Sequence, residues 1–274
     1  DGSCSYKNLK IKPEYSFRLS DSIKETSGLI AFENLLWTHN DDHDTTIYGL
    51  DTLGKIKKKI VLPQTINHDW EEISQDSTHL YIGDFGNNYS GNRTDLKILK
   101  IEKKSFLEEN PKIETISFTY SDQTDFSPSK PNKTDFDCEA FLVTDSMIYL
   151  FTKEWNAQKT TMYKLPNNKG IHKAKLMQSF QVNGLITGAA ISPGRKHIIL
   201  TGYTKTLTPF LYLLSEFNKD NFLGGNKKKL MVNRNFLQVE SVAFTGATTI
   251  AITNEQFIHT FIKSPQQLWQ IDLK

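Results

Sequence analysis

One plan recurs five times along this chain, and that repeat limits what it can fold into more than any other feature does. Each copy has a small or acidic residue, an apolar stretch, a short turn, and a second apolar stretch that ends in polar residues. The copies begin at Glu25, Asp69, Asp137, Ile186 and Gln238. Aligning their first strands brings Ser27, Glu71, Glu139, Ala189 and Glu240 into one column, with spacings of 44, 68, 50 and 51 residues. The long spacing contains Phe106–Pro111 and the Ser-, Pro- and Lys-rich stretch Ser121–Thr134, which reads as an extended loop.

Two further strand-like runs follow each pair, with β-branched and aromatic residues alternating. They are Thr46–Leu50 and Lys58–Leu62, Leu96–Ile101 and Glu114–Tyr120, Thr161–Leu165 and Leu176–Val182, and Phe210–Leu214 and Lys229–Val232. Four strands per unit at this spacing predict an all-β, five-bladed β-propeller, a single domain spanning 1–274, with six blades as the alternative. The fifth unit has only Gln267–Leu273 after its first pair, so Tyr15–Leu19 is predicted to supply its outermost strand and close the ring. Residues 1–13 read as an N-terminal extension.

Charge is nearly balanced, with 33 Lys and Arg against 31 Asp and Glu, which gives no reason to expect nucleic acid as a partner. Lysine runs such as Lys57–Lys59 and Lys227–Lys229 read as solvated outer strands. No apolar run approaches the roughly 20 residues of a membrane span. The two cysteines, Cys4 and Cys138, exclude a disulfide framework and a cysteine zinc cluster. Cys4 sits where a lipid-anchoring cysteine would, although Asp1-Gly2-Ser3 lacks the expected apolar residue, so an anchor is left open. The expectation is a monomeric, extracytoplasmic protein that is secreted, periplasmic or surface-anchored.

In a propeller the innermost strand runs down the channel from the top face and the next strand returns to it. Starts of first strands and ends of second strands therefore meet on one rim. The first set is Ser27, Asp69, Glu71, Glu139, Thr187 and Glu240. The second is His39, Asn40 and Asp41; Asp84, Asn87 and Asn88; Lys153 and Glu154; Tyr203; and Asn254 and Glu255, with Arg93 on a loop of the same side. Turns need Gly, Pro, Asn and Ser, but not repeated glutamates at the start of an inner strand.

Carboxylates facing a narrow channel repel one another and resist desolvation, and a hard cation relieves both costs. Calcium, with magnesium the weaker expectation, is therefore predicted near Glu71, Glu139 and Glu240, assisted by Ser27 or Thr187. The competing reading has water, backbone amides, Lys153 or Arg93 satisfy the glutamates. His39, Lys153, Arg93 and Tyr203 are the predicted catalytic group, handling charge and protons on a small anionic substrate. Asn40, Asp41, Asp69, Asp84, Asn87, Asn88, Glu154, Asn254 and Glu255 form the predicted ligand-binding rim. No GxSxG, P-loop, HExxH or dinucleotide motif occurs.

Several of these pieces resemble a widespread group of secreted bacterial propeller proteins carrying phytase-like or esterase-like labels. They are Ser27-Gly28-Leu29 with Leu36–Asp41, Asp69–Ile73, Gly83–Asn88 with Arg93, Glu139-Ala140-Phe141 with Thr152-Lys153, Thr187-Gly188-Ala189 with Ser192-Pro193, and Glu240-Ser241-Val242. The chain is also similar to calcium-activated nucleotidases, and that similarity implies channel calcium held by Glu71, Glu139, Glu240 and Ser27, with Ala189 departing from the pattern. Together these readings lead to a cation-assisted, phosphoesterase-like hydrolase. A non-catalytic propeller that binds a glycan or protein is the alternative.

Overall fold

The structure is a computed structural model and describes residues 9–144, 146–235 and 237–274. The anchor expected at Cys4 lies outside the described residues. Strands β1 (Leu9–Ile11) and β2 (Tyr15–Arg18) precede the first repeat unit. That unit is β3 (Thr26–Phe32), β4 (Leu35–Asn40), β5 (Thr46–Leu50) and β6 (Ile56–Val61), paired in chain order. The second is β7 (Trp70–Gln75), β8 (His79–Asp84), β9 (Lys97–Glu102) and, after helix α1 (Lys103–Leu107), β10 (Ile113–Tyr120). The third is β11 (Cys138–Thr144), β12 (Met147–Thr152), β13 (Lys159–Pro166) and β14 (Gly170–Gln181). The fourth is β15 (Leu185–Ile191), β16 (Ile198–Tyr203), β17 (Pro209–Ser215) and β18 (Asn226–Val232). The fifth begins with β19 (Val239–Phe244) and β20 (Thr249–Asn254). A separate hairpin follows, β21 (Phe257–His259) with β22 (Ile262–Ser264), and then β23 (Gln267–Asp272).

β2 pairs antiparallel with β23, Tyr15 opposite Gln270 and Arg18 opposite Gln267, so the N-terminal strand completes the last sheet as the unfinished fifth repeat predicts. Three features depart from the sequence reading. Part of the N-terminal extension is β1, which runs parallel to β18 and covers the edge of the fourth unit. The outer strands of the second and third units also pair in parallel, Ile116–Tyr120 alongside Gly170–Ala174. The long outer strand β14 thereby shields an edge that would otherwise template aggregation. The hairpin β21–β22, with Phe261 97 % exposed at its tip, stands between β20 and β23 in a stretch that the repeat leaves unassigned.

Inner strands are buried on both faces because sheets pack on either side of them, whereas the outer strands β6 and β14 turn many residues to water. Successive inner strands touch in the order β3, β7, β11, β15, β19 and back to β3. Each junction has its own apolar cluster. Trp37 and Trp70 belong to the one between the first and second sheets, and Phe85 and Phe141 to the next. Phe151 and Phe210 belong to the third, Val239 and Leu230 to the fourth, and Leu268 and Leu36 to the one that closes the circle. This is a β-propeller, with an inner ring of strands around a central channel.

Removing residues 1–18 takes away β1 and β2 and exposes the edge of β23. The thermal midpoint should then fall by on the order of 10 °C, with concentration-dependent association in light scattering. An unchanged midpoint and a monodisperse truncated protein would contradict the closure.

Candidate functional site

Every inner strand slips register by one residue near its start. In β7 the pairing jumps across Glu71, in β11 across Glu139, in β15 across Thr187 and in β19 across Glu240. In β3 the irregularity falls between Ser27 and Ile30. A β-bulge leaves its extra residue unpaired and re-aims it. Here it turns three glutamates toward the channel mouth at equivalent points of three sheets. The fourth-unit equivalent is Thr187, not the aligned Ala189, which pairs with Leu200.

Gly28 lies inside the β3 irregularity at φ +78°, and a Cβ there would sit 2.7 Å from Ile73 N, 2.8 Å from His39 Nε2 and 2.9 Å from Glu72 Oε1. Only glycine fits that conformation and that gap. Gly86 has a parallel role, since a Cβ on it would overlap the carboxyls of Asp69 and Glu71.

The mouth is a polar cup of about 240 Å³. Among the described residues, six carboxyl groups line it, those of Asp41, Asp69, Glu71, Glu139, Glu240 and Glu255, against a single amine, Lys153. Ser27, Asn88, Asn132, Trp155, Tyr203 and Gln238 complete the wall. Glu71, Asp137 and Glu139 form a buried triad in which one oxygen from each lies within 4.8 Å of the others. Asp137 Oδ1 accepts from the Asn87 and Cys138 amides at 2.8 and 3.0 Å, and its Oδ2 accepts from the Trp155 indole at 2.8 Å. Lys153 Nζ donates to Glu139 Oε1 at 2.6 Å and lies over the Trp155 and Tyr203 rings. Glu139 is 5 % exposed, and its Oε2 is buried with no hydrogen-bond partner.

The electrostatics follow from this crowding. Burial, then Glu139 and Asp69, pushes the Glu71 carboxyl well above its ordinary range. Burial and Glu139 do the same for Glu240, and raise Asp137 to about 7. Burial raises Asp69 to about 6, Glu255 to about 7 and Asp41 to about 8. Burial works against the charge on Lys153, but Glu139, Tyr203, Glu240 and Asp137 together outweigh it and hold the amine protonated. Burial pushes the Tyr203 phenol up, so it stays protonated.

Not every predicted site residue reaches the cup. Arg93 is spent on the loop behind it, with Nη2 at 2.9 Å from Asp84 Oδ1, Nε at 3.0 Å from Asp95 and Nη1 at 2.8 Å from Gly86 O. Asp84 faces Arg93 and His68. Asn87 braces the same loop through Phe136 O and the Arg93 amide. Glu154 accepts from Thr152 and Thr161 hydroxyls, and Asn254 ties Trp269 Nε1 to Glu255 O and Pro265 O. Asn40 donates to Ser22 O and Asp44. The Ser27 and Thr187 hydroxyls donate to backbone carbonyls of the following sheet, Glu71 O and Val239 O.

Asp137, Trp155, Gln238 and Asn132 line or support the cup without having been singled out. A signal for Asp137 was present, because Asp69-Trp70-Glu71 and Asp137-Cys138-Glu139 repeat one Asp-x-Glu pattern, echoed by Gln238-Val239-Glu240. Beneath the cup, the buried Glu72 spans the channel, its carboxylate accepting from its neighbour Ile73 N at 3.1 Å and from Ala189 N of the fourth sheet at 3.2 Å.

His39 is fully buried behind the cup, edge-on to Trp70 at 5.8 Å. Its Nδ1 faces Asn40 O at 2.9 Å, which requires the proton on Nδ1 and leaves Nε2 a bare acceptor without a partner. Burial pushes its pKa down to about 4 from an ordinary 6.5. As pH falls below 6.5 the unfolded chain takes a proton that the folded one refuses, so this residue lowers stability until about pH 4. The unfolding free energy of the wild type, minus that of His39→Gln, should fall by up to about 3 kcal/mol across that window, measured by urea titration at a series of pH values. A flat difference would refute the buried neutral imidazole.

No family model and no curated protein matches the sequence. Solved structures resemble the fold at low identity. A streptogramin B lyase is 12 % identical over 95 % of this chain and 87 % of its own, with a TM-score of 0.44. A chain of the mitotic checkpoint complex is 9 % identical over 99 % and 95 %, with a TM-score of 0.46. The hydrazine synthase of Kuenenia stuttgartiensis is 10 % identical over 89 % of this chain, with a TM-score of 0.43, and this chain spans 59 % of its length. At these values the likenesses carry no argument about function.

Proposed function

We propose that the chain is a five-bladed β-propeller whose channel mouth holds a divalent cation and uses it on a small anionic substrate, as a phosphoesterase-like hydrolase. The circular order of the inner strands supports five blades over six. One observation carries the cation: Glu139 Oε2 is buried with no partner beside Glu71 and Asp137. Buried charge of this kind is compensated by a counter-charge or by protonation, and Lys153 alone cannot serve six carboxyls. Oxygens within 4.8 Å of one another suit the calcium–oxygen distance of about 2.3–2.6 Å. Magnesium, at about 2.0–2.1 Å with strict octahedral demands, suits them less well.

A bound cation polarises an ester or phosphoryl oxygen and stabilises the charge that develops on it. Lys153 contributes positive charge at the same wall, and Glu255, outside the triad and raised to about 7, is a carboxylate placed to accept a proton from water. The withdrawal of His39 and Arg93 from the cup favours a second reading, a non-catalytic propeller that binds a glycan or protein at the same cation. An extracytoplasmic location is part of the proposal and rests on the sequence resemblance, and a monomer is proposed with it.

Saturating calcium should raise the thermal midpoint by about 5–10 °C over the chelator-treated protein, as expected near 100 times Kd. Glu139→Gln and Glu71→Gln should each abolish most of that rise. An equal midpoint with calcium and with chelator would end the cation proposal. Once the cation is established, Lys153→Met should lower turnover of a p-nitrophenyl phosphate probe at least tenfold. Absence of turnover in the calcium-loaded wild type would leave the binding module as the function.

A further inference from the structure

Among the described residues, Lys153 is the only amine that lines the cup. Its Nζ lies 2.6 Å from Glu139 Oε1, 4.5 Å from the centre of the Trp155 ring and 5.3 Å from that of Tyr203. The other oxygen of the same carboxyl, Oε2, is buried without a partner. An ammonium carries three donors on a flexible stem, and the carboxyls of Glu71 and Glu240 in the same wall offer it alternatives. Something has to hold it to one side of Glu139.

Trp155 is placed to do so. It is half-buried on the loop that follows β12, and its indole N–H donates to Asp137 Oδ2 at 2.8 Å. Asp137 is itself fixed, because its Oδ1 accepts from the Asn87 and Cys138 amides at 2.8 and 3.0 Å. Its backbone carbonyl accepts from the Lys153 amide at 2.8 Å. One residue therefore anchors both the backbone of the lysine and the ring that its ammonium faces. Of the aromatic faces, an indole attracts an ammonium most strongly. Without that face the amine is free to turn to Oε2 and Glu71, the place of the proposed cation. A tethered ammonium there competes with a dissolved ion at high effective concentration.

We propose that Trp155 is a positioning residue for the cation: its indole, locked on Asp137, keeps the Lys153 ammonium on Glu139 Oε1 and leaves Oε2 open. Trp155 has this role only if the cup holds a cation, as proposed above. The ion's chief competitor is then the protein's own amine, and the aromatic wall decides between them.

Calorimetric titration of the full chain with calcium tests the role. Trp155→Leu keeps bulk but removes the aromatic face, and should weaken binding roughly tenfold to hundredfold, as losing a group that orients a metal ligand does. Trp155→Phe restores a ring for the amine while Asp137 keeps its two backbone donors, so Kd should stay within about fivefold of the wild type. Lys153→Met should bind calcium at least as tightly as the wild type. Adding Trp155→Leu to it should then change Kd by less than about threefold, because no amine is left to restrain. Circular dichroism checks that each variant is folded.

Equal weakening by Trp155→Leu in both backgrounds marks an ordinary structural role and overturns the proposal. So does a Trp155→Phe protein as weak as Trp155→Leu. Wild-type affinity in Trp155→Leu overturns it too and leaves the cation in place. A wild type that binds no calcium ends the cation reading, and the positioning role with it.

Discussion

A carboxylate withdrawn from water needs a positive charge beside it or must take up a proton, and the channel mouth concentrates that demand at one place. Glu71, Glu139 and Glu240 come from three sheets, each turned inward by the same one-residue bulge, and Asp69 and Asp137 stand two residues before two of them. Lys153, pressed between Trp155 and Tyr203, answers one oxygen of Glu139 and leaves the other buried without a partner. The raised carboxyl pKa values are the electrostatic signature of that shortfall. Cation binding is one resolution and protonation the other, and the two differ sharply in what the protein can do.

The scaffold makes this concentration of charge tolerable. Apolar clusters at each junction between sheets and the strand exchange between the two termini hold the ring closed. Hydroxyls in the two non-acidic units, Thr187 at its bulge and Ser27 at the start of its irregularity, bond to backbone carbonyls of the next sheet. Glu72 reaches from the second sheet to the fourth below the cup. Units without a glutamate at the bulge are therefore the ones that stitch neighbours together there. The cup is acidic on most sides and least so toward the fourth unit, where Tyr203 forms the wall.

Much of this was legible in the sequence because repeats with strand periodicity speak through residue type alone. The strand pairs, the unfinished fifth unit and the strand that completes it all follow from apolar runs and spacing. The convergence of Glu71, Glu139, Glu240, Lys153, Tyr203 and Glu255 follows from blade geometry. What stayed hidden depends on local backbone and on partners. A bulge changes which residue faces the channel by one step, which is why Ala189 aligned where Thr187 sits. Whether Arg93 or His39 faces the ligand is decided by carbonyls and carboxylates distant in sequence, such as Gly86 O and Asp95 for Arg93. The parallel pairing of β10 with β14 joins segments whose amphipathic pattern is that of any outer strand.

The central claim is that the buried triad of Glu71, Asp137 and Glu139 is completed by a cation. Diffraction from crystals grown with manganese as an anomalously scattering substitute for calcium would test it most directly. The account predicts an anomalous peak bonded to Glu139 Oε2 and shared with Glu71 and Asp137. A map with only water at that position, and carboxyl oxygens drawn together pairwise as if sharing protons, would contradict it.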